Sequence, residues 1–118
     1  MGPLLSEQVC YALYSTSGVI TRAYRELLQP HQLTYPQFVV MMSLWHNNGA
    51  SLTEIAKNVG LSKGTLTPVM KRLETAGYIR RDPVRGNDRT KSMALTRKGI
   101  TFAKEGKKIT DQALCATG

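Results

Sequence analysis

The sequence predicts a mainly α protein with one small β-hairpin, a winged helix-turn-helix with flanking dimerisation helices. Three observations carry this expectation. Two short, well-capped helical stretches are joined by a glycine turn at Val59-Gly60-Leu61. Two strand-like stretches with turn residues between them follow. Positive charge is concentrated on the same part of the chain: fourteen of the sixteen Lys and Arg residues lie between Lys57 and Lys108, against four acids, while the whole 118-residue chain carries a net +8. A hydrophobic content of 42% and a charged content of 20% fit one folded domain and argue against disorder. The length argues against a multidomain enzyme, and the charge favours a polyanionic partner.

Taken in order, Val9, Ala12, Leu13, Val19, Ile20, Ala23 and Leu27 recur at helical intervals, so a long first helix is expected from Leu5 to Leu28, closed by Pro30. Thr34 caps a second helix carrying Phe38, Val39, Met41, Met42, Leu44 and Trp45; it is apolar nearly all round, hence buried, and stops at Asn47-Asn48-Gly49. Ser51-Leu52-Thr53-Glu54 is a capping box that opens a third helix ending near Asn58. Ser62 caps a fourth, in which Leu66, Val69, Met70 and Leu73 form the inward stripe up to Gly77. Tyr78 to Arg81 and Thr90 to Leu95 read as a hairpin with a long basic tip from Asp82 to Arg89. Thr96 caps a last helix whose apolar positions are Ile100, Ala103, Ile109, Ala113 and Leu114. One domain over residues 1–118 is expected, with 1–33 and 96–118 as dimerisation helices and 34–95 as the winged helix-turn-helix core.

With that stripe turned inward, a step of about 100° per residue puts Gly64, Pro68, Lys71 and Thr75 on the opposite side of the fourth helix, flanked by Thr65, Thr67 and Arg72. The face is small and polar at its start and basic later, which suits a helix whose N-terminal end enters a DNA major groove. Ser62, Lys63, Thr65, Thr67, Pro68, Lys71 and Arg72 are the candidate contacts there. Arg85 and Arg89 at the hairpin tip, with Arg80, Arg81 and Lys91 on its strands, can put one arginine into a minor groove while the rest grip phosphates. Taken singly, each Lys or Arg reads more readily as a solvated surface charge; only the combination with the capped helix pair and the hairpin points to double-stranded DNA. Pro68 is in tension with its helix, because its ring clashes with the carbonyl four residues back. A kink or an irregular first turn is expected there.

The order of elements, together with TLTPVMKRLETAGYIRR, GNDRTKSMALT and LTxxGxxxAKEG, resembles the multiple antibiotic resistance regulator (MarR) family of winged-helix repressors over nearly the whole chain. CYALYSTSGVITRAYRELLQPHQLTYPQFVVM resembles, more narrowly, the two-cysteine type of its organic hydroperoxide resistance regulator (OhrR) branch. The resemblance implies a homodimeric repressor that leaves its operator when an organic hydroperoxide oxidises Cys10 to a sulfenic acid. It assigns Tyr24 and Tyr35 as hydroxyl donors to the Cys10 thiolate, and Cys115 as the resolving cysteine of an intersubunit disulfide. The family's final dimerisation helix has no counterpart among these residues.

On a straight first helix Cys10 and Tyr24 stand about 21 Å apart at roughly 1.5 Å per residue, so a thiolate held by Tyr24 and Tyr35 calls for phenols from the partner subunit of a two-fold dimer. Hydroxyl donors lower a thiol pKa from about 8.5, and an apolar lining from Phe38, Val39 and Met42 would favour alkyl hydroperoxides. Two other readings stand beside this one. In a sibling repressor answering to a small aromatic ligand the cysteines are incidental. A small thiol peroxidase, the alternative of another class, needs an Arg or Glu poised beside Cys10 that the sequence does not clearly offer. No metal or other cofactor is expected, since the two cysteines match no zinc spacing and neither His31 nor His46 has a partner ligand. No apolar run approaches the roughly 20 residues that span a bilayer, and the start lacks the pattern of a secretory signal. A cytoplasmic, non-enzymatic protein without a membrane partner is the expectation.

Overall fold

The computed structural model describes residue 18, residues 21–84 and residues 87–117, and the side chains of these except 84, 87–90 and 114–117. Residues 21–28 are helical (α1) and run into a 3-10 turn over Gln29–His31. Pro30 sits at the start of that turn, where its missing N–H costs nothing, and Gln32 closes it in the left-handed conformation (φ 58°). The Gln32 N–H donates to the Gln29 carbonyl at 2.9 Å and the Leu33 N–H to the Leu28 carbonyl at 3.3 Å. This bend brings Tyr35, the first residue of α2 (Tyr35–His46), back beside Tyr24. The body of α2 buries Phe38, Val40, Met41 and Leu44 completely, in keeping with its apolar composition.

The helix pair forms from local chemistry. In α3 (Leu52–Val59) the capping box is made in full: the Glu54 N–H donates to Ser51 Oγ at 3.2 Å, and the Ser51 N–H donates to Glu54 Oε1 at 3.4 Å. Gly60 ends α3 at φ 75°, a left-handed conformation that glycine adopts without steric cost. Ser62 then caps α4 (Lys63–Thr75), whose buried residues are Leu66, Val69, Met70 and Leu73, the stripe read from the sequence. Pro68 lies inside α4, which is helical without interruption from Lys63 to Thr75.

Strands β1 (Ile79–Val84) and β2 (Asn87–Leu95) pair antiparallel from Ile79 opposite Leu95 to Pro83 opposite Lys91, with an irregularity between Pro83 and Val84. The long tip expected from Asp82 to Arg89 is therefore shorter, because Asp82 pairs with Ser92 and Val84 with Asn87. β1 is an edge strand, so Pro83 forfeits no ladder bond on its open side and the irregularity absorbs the mismatch. On the other side of β2 a single bridge joins Ser51 to Ser92. The Gly49 N–H donates to the Met93 carbonyl at 3.0 Å, the Met93 N–H to the Ala50 carbonyl at 2.8 Å, and Ser92 Oγ to the Gly49 carbonyl at 2.7 Å. The start of α3 is thus tied to the hairpin.

The last helix, expected to be continuous, breaks at Phe102 into α5 (Arg97–Thr101) and α6 (Ala103–Thr117). Ile100, expected in the core, is instead 55% exposed. The break shifts the helical phase, and Phe102 takes the buried place, 5.4 Å from the Tyr78 ring and 6.3 Å from the Trp45 ring. Trp45 Nε1 donates to the Gly99 carbonyl at 2.9 Å. Gly106 admits the same indole so closely that a Cβ there would lie 2.7 Å from Trp45 Cζ3. Ile109 and Ala113 are buried as expected. By contact the chain divides into two compact units, Met1–Tyr35 with Lys108–Gly118, and Pro36–Lys107.

Candidate nucleic-acid interface

The outer face of α4 is assembled from the residues that its inward stripe leaves over. Lys63, Gly64, Thr65, Thr67, Pro68, Lys71 and Arg72 are all exposed. Ser62 Oγ accepts from the Thr65 N–H at 3.2 Å and shares a hydrogen bond with Thr65 Oγ1 at 2.8 Å, which holds the first turn rigid. Thr67 Oγ1 donates to the Lys63 carbonyl at 2.8 Å. Its proton is committed inward, so the outward lone pairs present an acceptor, the complement of the amino groups of adenine and cytosine in a major groove. Lys71 and Arg72 bring positive charge one to two turns later, where phosphates flank such a groove.

The hairpin adds charge beside α4. Arg80 Nε is 3.0 Å from Asp82 Oδ2 on the same face of β1, so this arginine is paired along its own strand. Arg81 Nε is 3.7 Å from Glu74 Oε2 at the end of α4. Lys91 is exposed on β2. Arg85 lies outside the described residues, as does the side chain of Arg89.

Tyr24 and Tyr35, which sequence reasoning joined through resemblance alone, are neighbours: their rings are 4.8 Å apart and tilted by 44°. Burial and then the neighbouring Tyr35 phenol raise the Tyr24 pKa above its ordinary 10.0. Cys10 and the Cys115 side chain lie outside the described residues. Among the described residues no cluster of three or more His, Cys, Asp or Glu side chains could hold a metal ion, and no helix is long and apolar enough to cross a membrane.

Residues 33–91, from the end of the turn before α2 to the middle of β2, match the MarR family. The chain belongs to the MarR family. Among MarR relatives it is 46% identical over 95 residues to the transcriptional regulator TtmR of Methylorubrum extorquens, covering 80% of this chain and 49% of TtmR. It is 34% identical over 95 residues to the organic hydroperoxide resistance transcriptional regulator of Bacillus subtilis, covering 80% of this chain and 65% of that one. The chain thus spans about half the length of one relative and about two thirds of the other. Reduced AbfR bound to DNA, from a protein of Staphylococcus epidermidis, superposes with a TM-score of 0.85 at 30% identity, covering 91% of this chain and 75% of AbfR. AbfR has also been solved overoxidised on DNA and in a disulfide-formed state. These neighbours share the mostly helical architecture with its two-stranded hairpin.

In this MarR chain sequence reasoning anticipated the exposure of Lys63, Gly64, Thr65, Thr67, Pro68, Lys71, Arg72 and Thr75 on α4, because capping and periodicity are local. It missed the approach of Glu74 to Arg81, which joins the end of α4 to the hairpin and depends on tertiary packing.

Proposed function

We propose that the chain is a homodimeric, DNA-binding transcriptional repressor that organic hydroperoxides switch off through Cys10. The outer face of α4 reads base edges through Lys63, Thr65 and Thr67, while Ser62, Pro68, Lys71, Arg72, Arg85 and Arg89 line the duplex or hold phosphates. In the switch, the Cys10 thiolate attacks the outer peroxide oxygen, giving a sulfenic acid and an alcohol; the Cys115 thiol of the partner subunit displaces hydroxide as water and closes a disulfide. A disulfide needs Cα atoms within about 7 Å, so its closure moves the helices that carry the two reading heads.

The observation that supports the redox half is the Tyr24–Tyr35 pair: two neighbouring phenols make a donor set for a thiolate. The DNA half is carried by the phase of α4, which buries all four apolar residues and leaves its polar and basic ones outside. The existence of overoxidised AbfR on DNA supports assigning release to the disulfide and not to oxygen addition alone.

The test is anisotropy of a labelled duplex, selected from random sequence by the reduced protein, before and after one equivalent of cumene hydroperoxide. Wild type is expected to release it; Cys10→Ser keeps DNA binding and loses the response, and Cys115→Ser forms no covalent dimer on non-reducing gels. Peroxide release that persists in Cys10→Ser would refute the switch.

A further inference from the structure

The end of α4 away from its first turn is held by a separate piece of the chain. Gly77, left-handed at φ 86°, closes the helix: the Tyr78 N–H donates to the Leu73 carbonyl and the Gly77 N–H to the Glu74 carbonyl, both at 3.0 Å. The next three carbonyls find their donors outside α4, all at the start of α5. Lys98 Nζ donates to the Ala76 carbonyl at 2.8 Å, Thr96 Oγ1 to that of Gly77 at 2.6 Å, and the Thr96 N–H to that of Tyr78 at 3.1 Å. Thr96 Oγ1 also accepts from the Gly99 N–H at 3.2 Å, so the hydroxyl that caps α5 grips the end of α4 as well. Packing closes the joint. The Lys98 ammonium lies 4.4 Å from the centre of the Tyr78 ring, and Gly99 sits so near the Tyr78 carbonyl that a Cβ there would collide with it. The bond from Trp45 to the Gly99 carbonyl anchors α5 in turn to α2.

Burial of Leu66, Val69, Met70 and Leu73 sets the depth and phase of α4, but apolar burial is non-directional and restrains tilt weakly. Tilt matters at the reading end. A helix of 13 residues is about 20 Å long, so a rotation of about 5° around Ala76 carries Lys63 through roughly 2 Å. Hydrogen bonds to base edges tolerate only a few tenths of an ångström. We infer that Thr96 and Lys98 are positioning residues for DNA recognition, which act through α4 by holding three successive carbonyls at its end and so set the angle at which its first turn meets the groove. The inference rests on the reading of α4 as the groove helix. The Lys98 charge also complements the negative, carbonyl end of the α4 dipole.

The experiment measures affinity of the full chain for the duplex selected by the reduced wild type, across a salt series, together with amide hydrogen exchange of the free protein. Thr96→Val should weaken binding about tenfold and Lys98→Met a few-fold, both with the salt slope unchanged because no phosphate contact is lost. Thr96→Ser, which keeps the hydroxyl, should restore affinity. Arg97→Met removes the same charge as Lys98→Met from an exposed neighbour that has no bond to α4 among the described residues, and should leave affinity near that of the wild type. Exchange at Gly77 and Tyr78 should quicken in Thr96→Val and Lys98→Met and return to the wild-type rate in Thr96→Ser. The exposed Lys98 keeps the test usable if Thr96→Val does not fold. Unchanged affinity in both variants overturns the inference. So does a salt slope lowered by about 0.9 in Lys98→Met, or an equal loss in Arg97→Met, since Lys98 would then act on the duplex by its charge. Absence of any DNA binding by the wild type would sink the groove reading itself. Exchange at Gly77 and Tyr78 indifferent to both substitutions would show that α5 does not hold α4.

Discussion

Replacing Pro68 by Ala should make the protein more stable. Inside a helix a proline lacks the N–H that would bond the carbonyl four residues back, here that of Gly64, and its ring crowds that carbonyl, at a cost of about 3 kcal/mol. Pro68 is the sixth residue of α4, past the first turn where this cost vanishes, and it is exposed, so no buried packing is lost with the ring. Against the gain stands the freer unfolded chain of the alanine variant, worth roughly 0.4–1 kcal/mol. The net expectation is a stabilisation of about 2 kcal/mol, a rise in Tm of several degrees for a domain of this size. Urea unfolding followed by circular dichroism measures it, with an unchanged m-value confirming that the folded state is otherwise the same. An equal or lower midpoint would refute the reasoning, since Pro68 would then impose no cost on α4. If DNA affinity falls while stability rises, Pro68 is retained for the groove face.

Gly106→Ala should destabilise by about 1–2 kcal/mol, because the new methyl meets an indole that its hydrogen bond to Gly99 holds in place and the overpacking outweighs a helix-propensity gain of about 1 kcal/mol; a stabilised variant in urea would show that Trp45 can yield. Burial raises the Tyr78 pKa above 10.0, so the folded state keeps this proton to higher pH than the unfolded one, and the resulting stability is full below pH 10 and lost as pH climbs through the raised value. Tyr78→Phe should flatten the alkaline fall in Tm, and an unaltered profile would remove Tyr78 as its source. Tyr24→Phe should move the midpoint for alkylation of the Cys10 thiol to higher pH, read with iodoacetamide across a pH series; an identical midpoint would detach Tyr24 from the sensor.

The features legible in the sequence were those set by interactions within a few residues. Ser51 with Glu54, Ser62 with Thr65 and the left-handed Gly60 each state where a helix begins or ends, and the stripe from Leu66 to Leu73 gives the phase of α4. The hairpin was legible in kind but not in extent: the tip was expected to begin at Asp82, and only the open edge of β1 explains why Pro83 still pairs. The break at Phe102 was hidden because Ile100 and Ala103 continue a helical rhythm, whereas the contacts of Phe102 with Trp45 and Tyr78 join residues far apart in the chain. Periodicity gave no hint that Tyr24 and Tyr35 touch. Their meeting depends on the left-handed Gln32 that bends the backbone between them.

Trp45 is the sole tryptophan, and its indole is hydrogen-bonded to the Gly99 carbonyl, edge-on to Phe38 and close to Phe102. The molecule thereby carries an unlabelled optical gauge at the joint between its second helix and the pair that follows the wing. Any event that loosens this joint, whether heat, urea or strain relayed from a docked duplex, will shift ultraviolet emission directly, so the working states of the protein can be followed in solution by its own light.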